Sequence, residues 1–338
     1  MAVDKKPKAI LLYSGGLDST IALYSLVSMG VDVVVLNFDI PFCGTGSNNK
    51  VYLSIANNTR RLGVKVVTVG ADEEYLQILK DPKHGYGRSV NPCVDCRIYM
   101  LKYAKKVMDQ EGADFIATGE VIGQRPFSQN VQRLMAIDKE AGVEGLVVRP
   151  LSGKLLPETI PEKKGMVKRE AMFDLQGRGR RAQMKLAEQF GIEVYPTPAG
   201  GCLLTESAFG RRFRDLKKYS QDFGLKDVLL LRFGRHFRLD ERHKIILCRN
   251  EAENYTVMNL VSEEDVLFEA LTYKGPLGVY FGDFSLSPME LAASHIVAYS
   301  KAPKDVPVKV RFWNKKGAFE KIIEVYALPR SLRHKYLV

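Results

Sequence analysis

The stretch Ser14-Gly15-Gly16-Leu17-Asp18-Ser19 decides the fold, because it separates two apolar segments of different character. It follows Ile10–Tyr13, a continuous apolar run that indicates a buried strand, and it precedes Thr20–Val27, which we predict to be a helix. Glycines let backbone N–H groups face an anion, and a helix start adds unpaired donors and a positive dipole end. The stretch therefore predicts a phosphate-binding turn between a strand and a helix.

Side chains of the same turn add to this predicted site. Ser14, Ser19 and Thr20 provide hydroxyl donors, whereas Asp18 is interpreted either as a helix cap or as a magnesium ligand. The turn lacks the lysine of the Walker A pattern and is not G-x-G-x-x-G. An ordinary serine-glycine turn is the plain alternative.

The first part of the chain alternates between strand and helix patterns. Asp32–Phe38, Val64–Val69 and Phe115–Gly119 predict strands, and Asn49–Leu62 and Arg97–Glu111 predict helices. Continuous apolar strands separated by helices predict an α/β fold with a doubly wound parallel sheet. Ligands of such sheets bind at the carboxyl ends of the strands. We therefore expect four strand-end residues beside the turn, namely Asn37, Phe38, Asp39 and Gly119.

The pattern changes near residue 205, so we predict one domain over residues 1–205 and a C-terminal α+β domain over residues 206–338. Before this boundary, Arg169–Phe190 looks helical with interruptions at its glycines. Four strands are predicted beyond it, namely Val228–Phe233, Lys244–Cys248, Val306–Trp313 and Phe319–Leu328. The last two flank Asn314–Gly317, which is typical of a hairpin turn.

Charge points to a polyanionic partner. The chain has 50 lysines and arginines against 39 aspartates and glutamates, a net charge of +11. Lys163–Lys185 contains eight basic and two acidic residues, and Glu206–Arg249 contains twelve basic and six acidic residues. This concentration favours RNA over a small metabolite, with a merely basic surface as the alternative. No membrane-length apolar run and no signal peptide are apparent, so we expect a cytoplasmic protein without a membrane partner.

Cysteine spacing suggests chemistry rather than disulfides. Cys93 and Cys96 form a C-x-x-C motif before a predicted helix, and Cys202 follows the loop Pro198–Gly201. Three thiols can bind three irons of a 4Fe–4S cluster and leave the fourth open to sulfide. A persulfide relay, a zinc site and inert thiols stay open as alternatives. Cys43 is a fourth ligand, a sulfur carrier or a buried side chain, and Cys248 is expected in the core.

Together these motifs resemble the PP-loop ATP pyrophosphatases, and among them the tRNA thiolation branch of 2-thiouridine and 4-thiouridine synthetases. The matching pieces are Ser14–Ser19, Asn91–Cys96, Ala117–Glu120 and Cys202, which together cover about residues 8 to 205. The resemblance implies the adenine nucleotide alpha hydrolase-like fold, with ATP and Mg²⁺ as cofactors. It also implies an enzyme that adenylates a uridine carbonyl oxygen of tRNA and replaces it with sulfur.

The resemblance assigns roles to particular residues. Cys93, Cys96 and Cys202 would be catalytic and would also hold a cluster or zinc, and Asp18 would assist catalysis. Ten residues would bind the nucleotide, namely Ser14, Gly15, Gly16, Asp18, Ser19, Thr20, Asn37, Phe38, Asp39 and Gly119. Four arginines are candidates for phosphate contacts, namely Arg125, Arg178, Arg180 and Arg181. A sulfur donor protein or sulfide is the further implied partner, and a homodimer is one expected state.

Two features leave the target and the class of protein open. Glu120 stands where many relatives have histidine, which puts the target nucleoside in doubt. Gly234–Asn254 resembles an RNA-binding domain of ribosome-quality-control proteins, with an unrelated basic α+β domain as the alternative. Two rival functions are an AMP-forming synthetase that acts on a small molecule and a non-catalytic RNA-binding protein on the same fold.

Overall fold

A computed structural model describes residues 6–40, 42, 49–125, 128–196 and 201–338. The chain divides into two compact units, Met1–Glu206 and Ser207–Val338. Within the described ranges, no helix is both long and apolar enough to cross a membrane.

The first unit is built on a parallel sheet of five strands. In chain order its elements are β1 (Lys8–Leu12), α1 (Leu17–Ser28), β2 (Asp32–Asp39), α2 (Asn49–Leu62), β3 (Lys65–Gly70), α3 (Glu73–Lys80), α4 (Cys93–Glu111), β4 (Phe115–Thr118), α5 (Val131–Glu140), β5 (Val147–Val148), α6 (Ile160–Lys163) and α7 (Arg181–Gln189). The strand order is β3-β2-β1-β4-β5, and the pairs are parallel. The predicted doubly wound α/β fold is confirmed.

Alternation along β1 explains why helices cover both faces of this sheet. Ala9 and Leu11 pack in one core cluster with Leu23 of α1. Ile10 and Leu12 pack in another cluster with Leu101 of α4. Successive side chains of a strand point to opposite faces, so a strand that is apolar throughout requires cover on both.

The second unit is an antiparallel α+β unit. In chain order its elements are α8 (Ser207–Tyr219), α9 (Leu225–Leu230), β6 (Arg235–Arg238), β7 (Lys244–Leu247), α10 (Glu251–Leu260), β8 (Val266–Ala270), β9 (Gly278–Phe281), α11 (Leu286–Ala298), β10 (Val308–Asn314), β11 (Glu320–Val325) and α12 (Arg330–Arg333). Six strands pair in the order β11-β10-β8-β9-β7-β6. The predicted hairpin is confirmed, because β10 and β11 pair in antiparallel register.

Three local predictions need correction. The predicted strand Val228–Phe233 is wrong, because Leu225–Leu230 is helix α9. The N–H of Gly224 donates to Oδ2 of Asp227 at 2.8 Å and so caps this helix, and a short apolar run alone does not distinguish a buried strand from a buried helix. Arg169–Phe190 is not one helix but a 3-10 turn over Arg169–Ala171 followed by α7.

Between these two pieces the chain forms an isolated parallel bridge, in which Gln176 pairs with Ile122 outside the sheet strands. The N–H of Gly177, whose φ is +82°, donates to the carbonyl of Ile122 at 2.7 Å. The third correction concerns the helix predicted from Arg97, which begins at Cys93 with Pro92 as its N-cap. Both cysteines of the C-x-x-C motif therefore lie in the first turn of α4.

Candidate active site

The nucleotide loop occupies the junction of β1 and α1. Gly15 has a φ of +68°, a conformation that favours glycine, and a Cβ there would lie 2.8 Å from Cγ1 of Ile55. Both the backbone conformation and the packing therefore require glycine. Gly16 is the N-cap residue of α1 and has no side chain to occupy the free N–H groups of the first turn. This geometry suits an anion at the start of the helix.

The hydroxyls of the loop differ in their availability. Ser19 and Thr20 both donate to the carbonyl of Gly16, at 3.0 and 2.9 Å. Thr20 is fully buried and its oxygen also lies 3.0 Å from the hydroxyl of Tyr13, so its side chain serves the core. Ser14 is exposed and lies in the cavity wall with Ser19.

Asp18 is held by residues from distant parts of the chain. Its carboxylate accepts from Nε2 of Gln124 at 3.1 Å, and Nη1 of Arg180 lies 3.1 Å from Oδ2. Burial raises the pKa of Asp18, and the charge of Arg180 opposes that rise. The side chain does not cap α1, because that position belongs to Gly16. The magnesium interpretation of Asp18 is the one that its position leaves open.

One cavity of about 230 Å³ brings most of the predicted residues together. Its wall includes residues of the loop, of two strand ends and of the cysteine set, namely Ser14, Gly16, Asp18, Ser19, Phe38, Gly119, Cys93, Cys96 and Cys202. Arg125 and Arg180 line it as well, whereas Arg178 and Arg181 are exposed and lie outside its wall. Gly15, Thr20, Asn37 and Asp39 are also outside the wall, and Asp39 instead accepts from the hydroxyl of Tyr52 at 3.1 Å.

Gly119 shows why the end of β4 can approach the loop. A Cβ at this position would lie 2.6 Å from both the backbone N and the Cα of Ser19. A side chain is therefore excluded, and the backbone of β4 packs directly against the first turn of α1. This contact places Glu120, the next residue of the cavity wall, beside the nucleotide loop.

The three cysteines that line the cavity have different neighbours. Sγ of Cys93 donates to Oγ of Ser128 at 3.1 Å, and Sγ of Cys96 lies 3.9 Å from the hydroxyl of Tyr75. Cys202 precedes a 3-10 turn whose Leu203 N–H donates to the carbonyl of Phe42 at 2.9 Å. Cys202 therefore reaches the cavity through a contact with the chain beyond β2.

The thiols of the cavity are the donor groups that it offers to a metal. Among the described residues, no three His, Cys, Asp or Glu side chains are placed to hold a single metal ion. A cluster distributes its thiolates over several irons, and three thiols on one cavity match it in donor type and number. Cys248 is buried in the second unit, where burial raises its pKa to about 12. Cys43 lies outside the described residues.

A buried ion network behind the cavity was not predicted. Oε2 of Glu120 accepts from Nε of Arg149 at 3.0 Å, and Oε1 lies 3.1 Å from Nε of Arg97. Arg149 also donates to both oxygens of Asp138, at 2.7 and 2.8 Å. Burial opposes ionisation of Glu120, but Arg97 and Arg149 bring its pKa below the usual value. The sequence indicated only Glu120, which stands where many relatives have histidine. Its partners Arg97 and Arg149 are far from it along the chain, so no local pattern predicts the network.

Two family models match the chain, one in each unit. Residues 5–160 match the thiamine biosynthesis protein (ThiI) family, and residues 234–337 match the NFACT protein RNA binding domain. The first match supports the predicted resemblance of the first unit to the PP-loop tRNA thiolation family. The second match agrees with the predicted resemblance of Gly234–Asn254 to an RNA-binding domain of ribosome-quality-control proteins.

The relatives that match this chain are named as enzymes that introduce sulfur into tRNA. A probable tRNA sulfurtransferase of Methanobrevibacter smithii is 31% identical over 152 residues, which are 43% of this chain and 37% of the relative. A tRNA-specific 2-thiouridylase MnmA of Pediococcus pentosaceus is 25% identical over 223 residues, 62% of this chain and 55% of the relative. The chain thus spans between about a third and a half of the length of these curated relatives.

A solved structure, that of a 4-thiouridine synthetase in complex with RNA and bound ATP, is 24% identical and covers 56% of this chain and 52% of its own. Its TM-score is 0.36.

Proposed function

We propose that the chain is an ATP-dependent tRNA sulfurtransferase that adenylates a uridine carbonyl oxygen and replaces it with sulfur. One observation carries the proposal: the nucleotide loop and the thiols of Cys93, Cys96 and Cys202 line the same cavity. ATP activation and sulfur delivery need adjacent sites, because an adenylated uracil must react with sulfur before water hydrolyses it.

The loop supplies the first half of the chemistry. Free N–H groups at the start of α1, with the hydroxyl of Ser14, would hold the outer phosphates of ATP. Asp18 would hold Mg²⁺, which commonly takes one protein carboxylate and completes its shell with phosphates and water. The uracil oxygen attacks the α-phosphorus, the bond to the bridging oxygen breaks, and pyrophosphate leaves.

The thiols serve the second half. A hydrosulfide equivalent adds to the activated carbon, AMP leaves with the former carbonyl oxygen, and loss of a proton gives the thiocarbonyl. Splitting a difficult substitution into two steps gives each step a good leaving group. If a 4Fe–4S cluster is present, Cys93, Cys96 and Cys202 would hold it, and its open iron would supply bound sulfide. A persulfide on one of these thiols is the alternative source: its outer sulfur adds to the activated carbon, a second thiol then attacks the inner sulfur, and a disulfide forms between the two cysteines as the thiocarbonyl is released.

The substrate side of the proposal is supported by the second unit. This unit matches an RNA-binding domain, and the whole chain has a net charge of +11, so tRNA suits it as the partner. A tRNA partner implies a cytoplasmic location. The same match disfavours a synthetase that acts on a small molecule. A loop in which position 15 admits only glycine disfavours a non-catalytic protein.

Nucleoside analysis of tRNA tests the proposal. Deletion of the gene should remove one thiolated uridine from digested tRNA, as measured by mass spectrometry. The wild-type chain should restore that nucleoside, as should a Cys248→Ala variant, whereas Cys96→Ala should not. Survival of every thiolated nucleoside in the deletion strain, with no redundant enzyme present, would contradict the proposal.

Anaerobic purification distinguishes the two sulfur sources. A cluster predicts about four irons per chain and a broad visible absorbance, both lost in Cys202→Ala but kept in Cys248→Ala. A persulfide predicts no iron and a sulfane sulfur that is released by a reductant.

A further inference from the structure

Arg97 belongs both to the wall of the cavity and to the ion network of Glu120. It follows Cys96 in α4 and lines the same cavity as the nucleotide loop. Its Nε faces Oε1 of Glu120 at 3.1 Å, and this is its one ion pair within the described part of the chain. Its side chain is 21% exposed, while that of Glu120 is 3% exposed. The cation therefore extends from a buried anchor toward the open cavity.

Glu120 is held in place by a chain of contacts, because its partner Arg149 is itself bonded to Asp138. The second oxygen of Glu120 also accepts from the hydroxyl of Thr118 at 3.0 Å, in addition to Arg149. Arg149 is in turn fixed by two hydrogen bonds to Asp138. Two cations and two carboxylates alternate, so the network is neutral as a whole. Glu120 is consequently held in place and fixes only the inner nitrogen of Arg97.

A guanidinium held in this way keeps its outer edge for a ligand. Its five N–H groups form a planar fork, and its Nε side faces Glu120 in an ion pair. The remaining fork matches the spacing of two oxygens of a phosphate group.

We propose that Arg97 binds the α-phosphate of the nucleotide, the phosphate that stays with adenosine after pyrophosphate has left. The inference rests on the proposed function, in which the loop takes the outer phosphates. Gly119 packs on the backbone of Ser19, so the wall of Glu120 and Arg97 begins where the loop ends. Cys96 precedes Arg97 in the same turn of α4, so this phosphate would lie between the loop and the thiols.

In this position Arg97 acts in both steps of the reaction. It offsets the negative charge on the α-phosphate while the uracil oxygen attacks and the bond to pyrophosphate breaks. It then keeps the phosphate of the adenylated uracil beside the thiols until AMP leaves.

Binding of AMP, adenosine and inorganic pyrophosphate to the full chain, measured by calorimetry, tests the inference. Arg97→Gln should weaken AMP binding by roughly 10- to 100-fold, because a charged hydrogen-bond pair is lost. Adenosine, which lacks the phosphate, and pyrophosphate, which binds the loop, should bind as in the wild type. Lys102→Gln is the matched control, since Lys102 is an exposed cation on the same helix.

Each outcome has a distinct meaning. An AMP affinity of Arg97→Gln equal to that of the wild type and of Lys102→Gln overturns the role of Arg97 and leaves the proposed function intact. Failure of the wild type to bind any of the three probes overturns the proposed function instead. If Arg97→Gln does not fold, Arg97→Lys decides: a single ammonium replaces the fork, so an undiminished AMP affinity contradicts the inference.

Discussion

Nη1 of Arg180 lies 3.1 Å from Oδ2 of Asp18, although 162 positions separate the two residues. Arg180 immediately precedes α7, and Asp18 belongs to the first turn of α1. The chain therefore returns to the nucleotide loop after crossing the sheet. The carboxylate that we assign to magnesium has a cation beside it before any ligand binds.

Replacing Asp18 tests that assignment. Asp18→Asn keeps the shape and the contact with Gln124 but loses the charge, so affinity for Mg²⁺–ATP should fall roughly 10- to 100-fold. Titration calorimetry with and without Mg²⁺ measures it. Asp32→Asn, at the exposed start of β2, is the matched control. Equal affinity in the two variants would remove Asp18 from the magnesium site.

The same carboxylate predicts a pH dependence. Because burial raises the pKa of Asp18, it takes up a proton at a higher pH than an ordinary aspartate. Affinity for Mg²⁺–ATP should therefore fall as the pH decreases through that raised pKa, while the affinity of Asp18→Asn stays flat. Binding curves at a series of pH values, corrected for protonation of the phosphates with free ATP and Mg²⁺, measure the difference.

Gly119 should tolerate no side chain. In Gly119→Ala the new Cβ would lie 2.6 Å from the backbone of Ser19, which cannot give way as a flexible side chain would. Overpacking of this kind costs about 1–3 kcal/mol, and the displaced loop should lose ATP affinity as well. Gly70→Ala at the end of β3 is the control, because a Cβ there meets nothing within 4 Å. Urea unfolding and ATP titration of both variants decide the matter.

Removal of the central carboxylate should destabilise the first unit. Glu120→Gln leaves Arg97 and Arg149 without their shared anion in a buried position, which costs about 3–5 kcal/mol of unfolding free energy. Glu144→Gln, an exposed glutamate that precedes β5, should change the free energy by less than about 0.5 kcal/mol. Similar unfolding midpoints for the two variants would show that the network contributes little.

Thiol reactivity should separate Cys248 from the cavity cysteines. Burial raises the pKa of Cys248 to about 12, so its thiolate is scarce at neutral pH. Brief alkylation of the native, metal-free and reduced protein should modify Cys93, Cys96 and Cys202 but not Cys248. Peptide mass mapping reads the labelled positions, and unfolding in urea should expose Cys248 equally. Early labelling of Cys248 would contradict its place in the core.

Acid should weaken the second unit at one defined cluster. Asp283 has a pKa of about 2, below its ordinary value of 3.8, because Ser285 and His243 donate to its carboxylate. A lowered pKa stabilises the fold above 3.8, and this contribution is lost as the pH falls from 3.8 towards 2. The unfolding free energy of Asp283→Asn should thus decline less steeply in that window than that of the wild type. Asp222→Asn, exposed on the same unit, should decline as the wild type does.

Much of the first unit could be predicted from local patterns. The run before Ser14 is apolar at every position, and the residues after Ser19 continue without a break, so strand, turn and helix follow from neighbours in the chain. Gly63 ends α2 with a φ of +62°, as the sequence indicates for a C-terminal glycine. The Val228–Phe233 error marks the limit of this approach, because burial of Leu230 depends on residues that α9 meets only after folding.

The sequence by itself determined the strand–turn–helix order, the sites where only glycine can turn the chain, and the thiols and charges available for chemistry. These depend on short-range hydrogen bonding and on periodicity. Only the tertiary structure decided that Arg180 reaches Asp18 and that Arg97 is anchored on Glu120. Such contacts depend on how distant segments pack on the two faces of the sheet, and no local pattern specifies that packing.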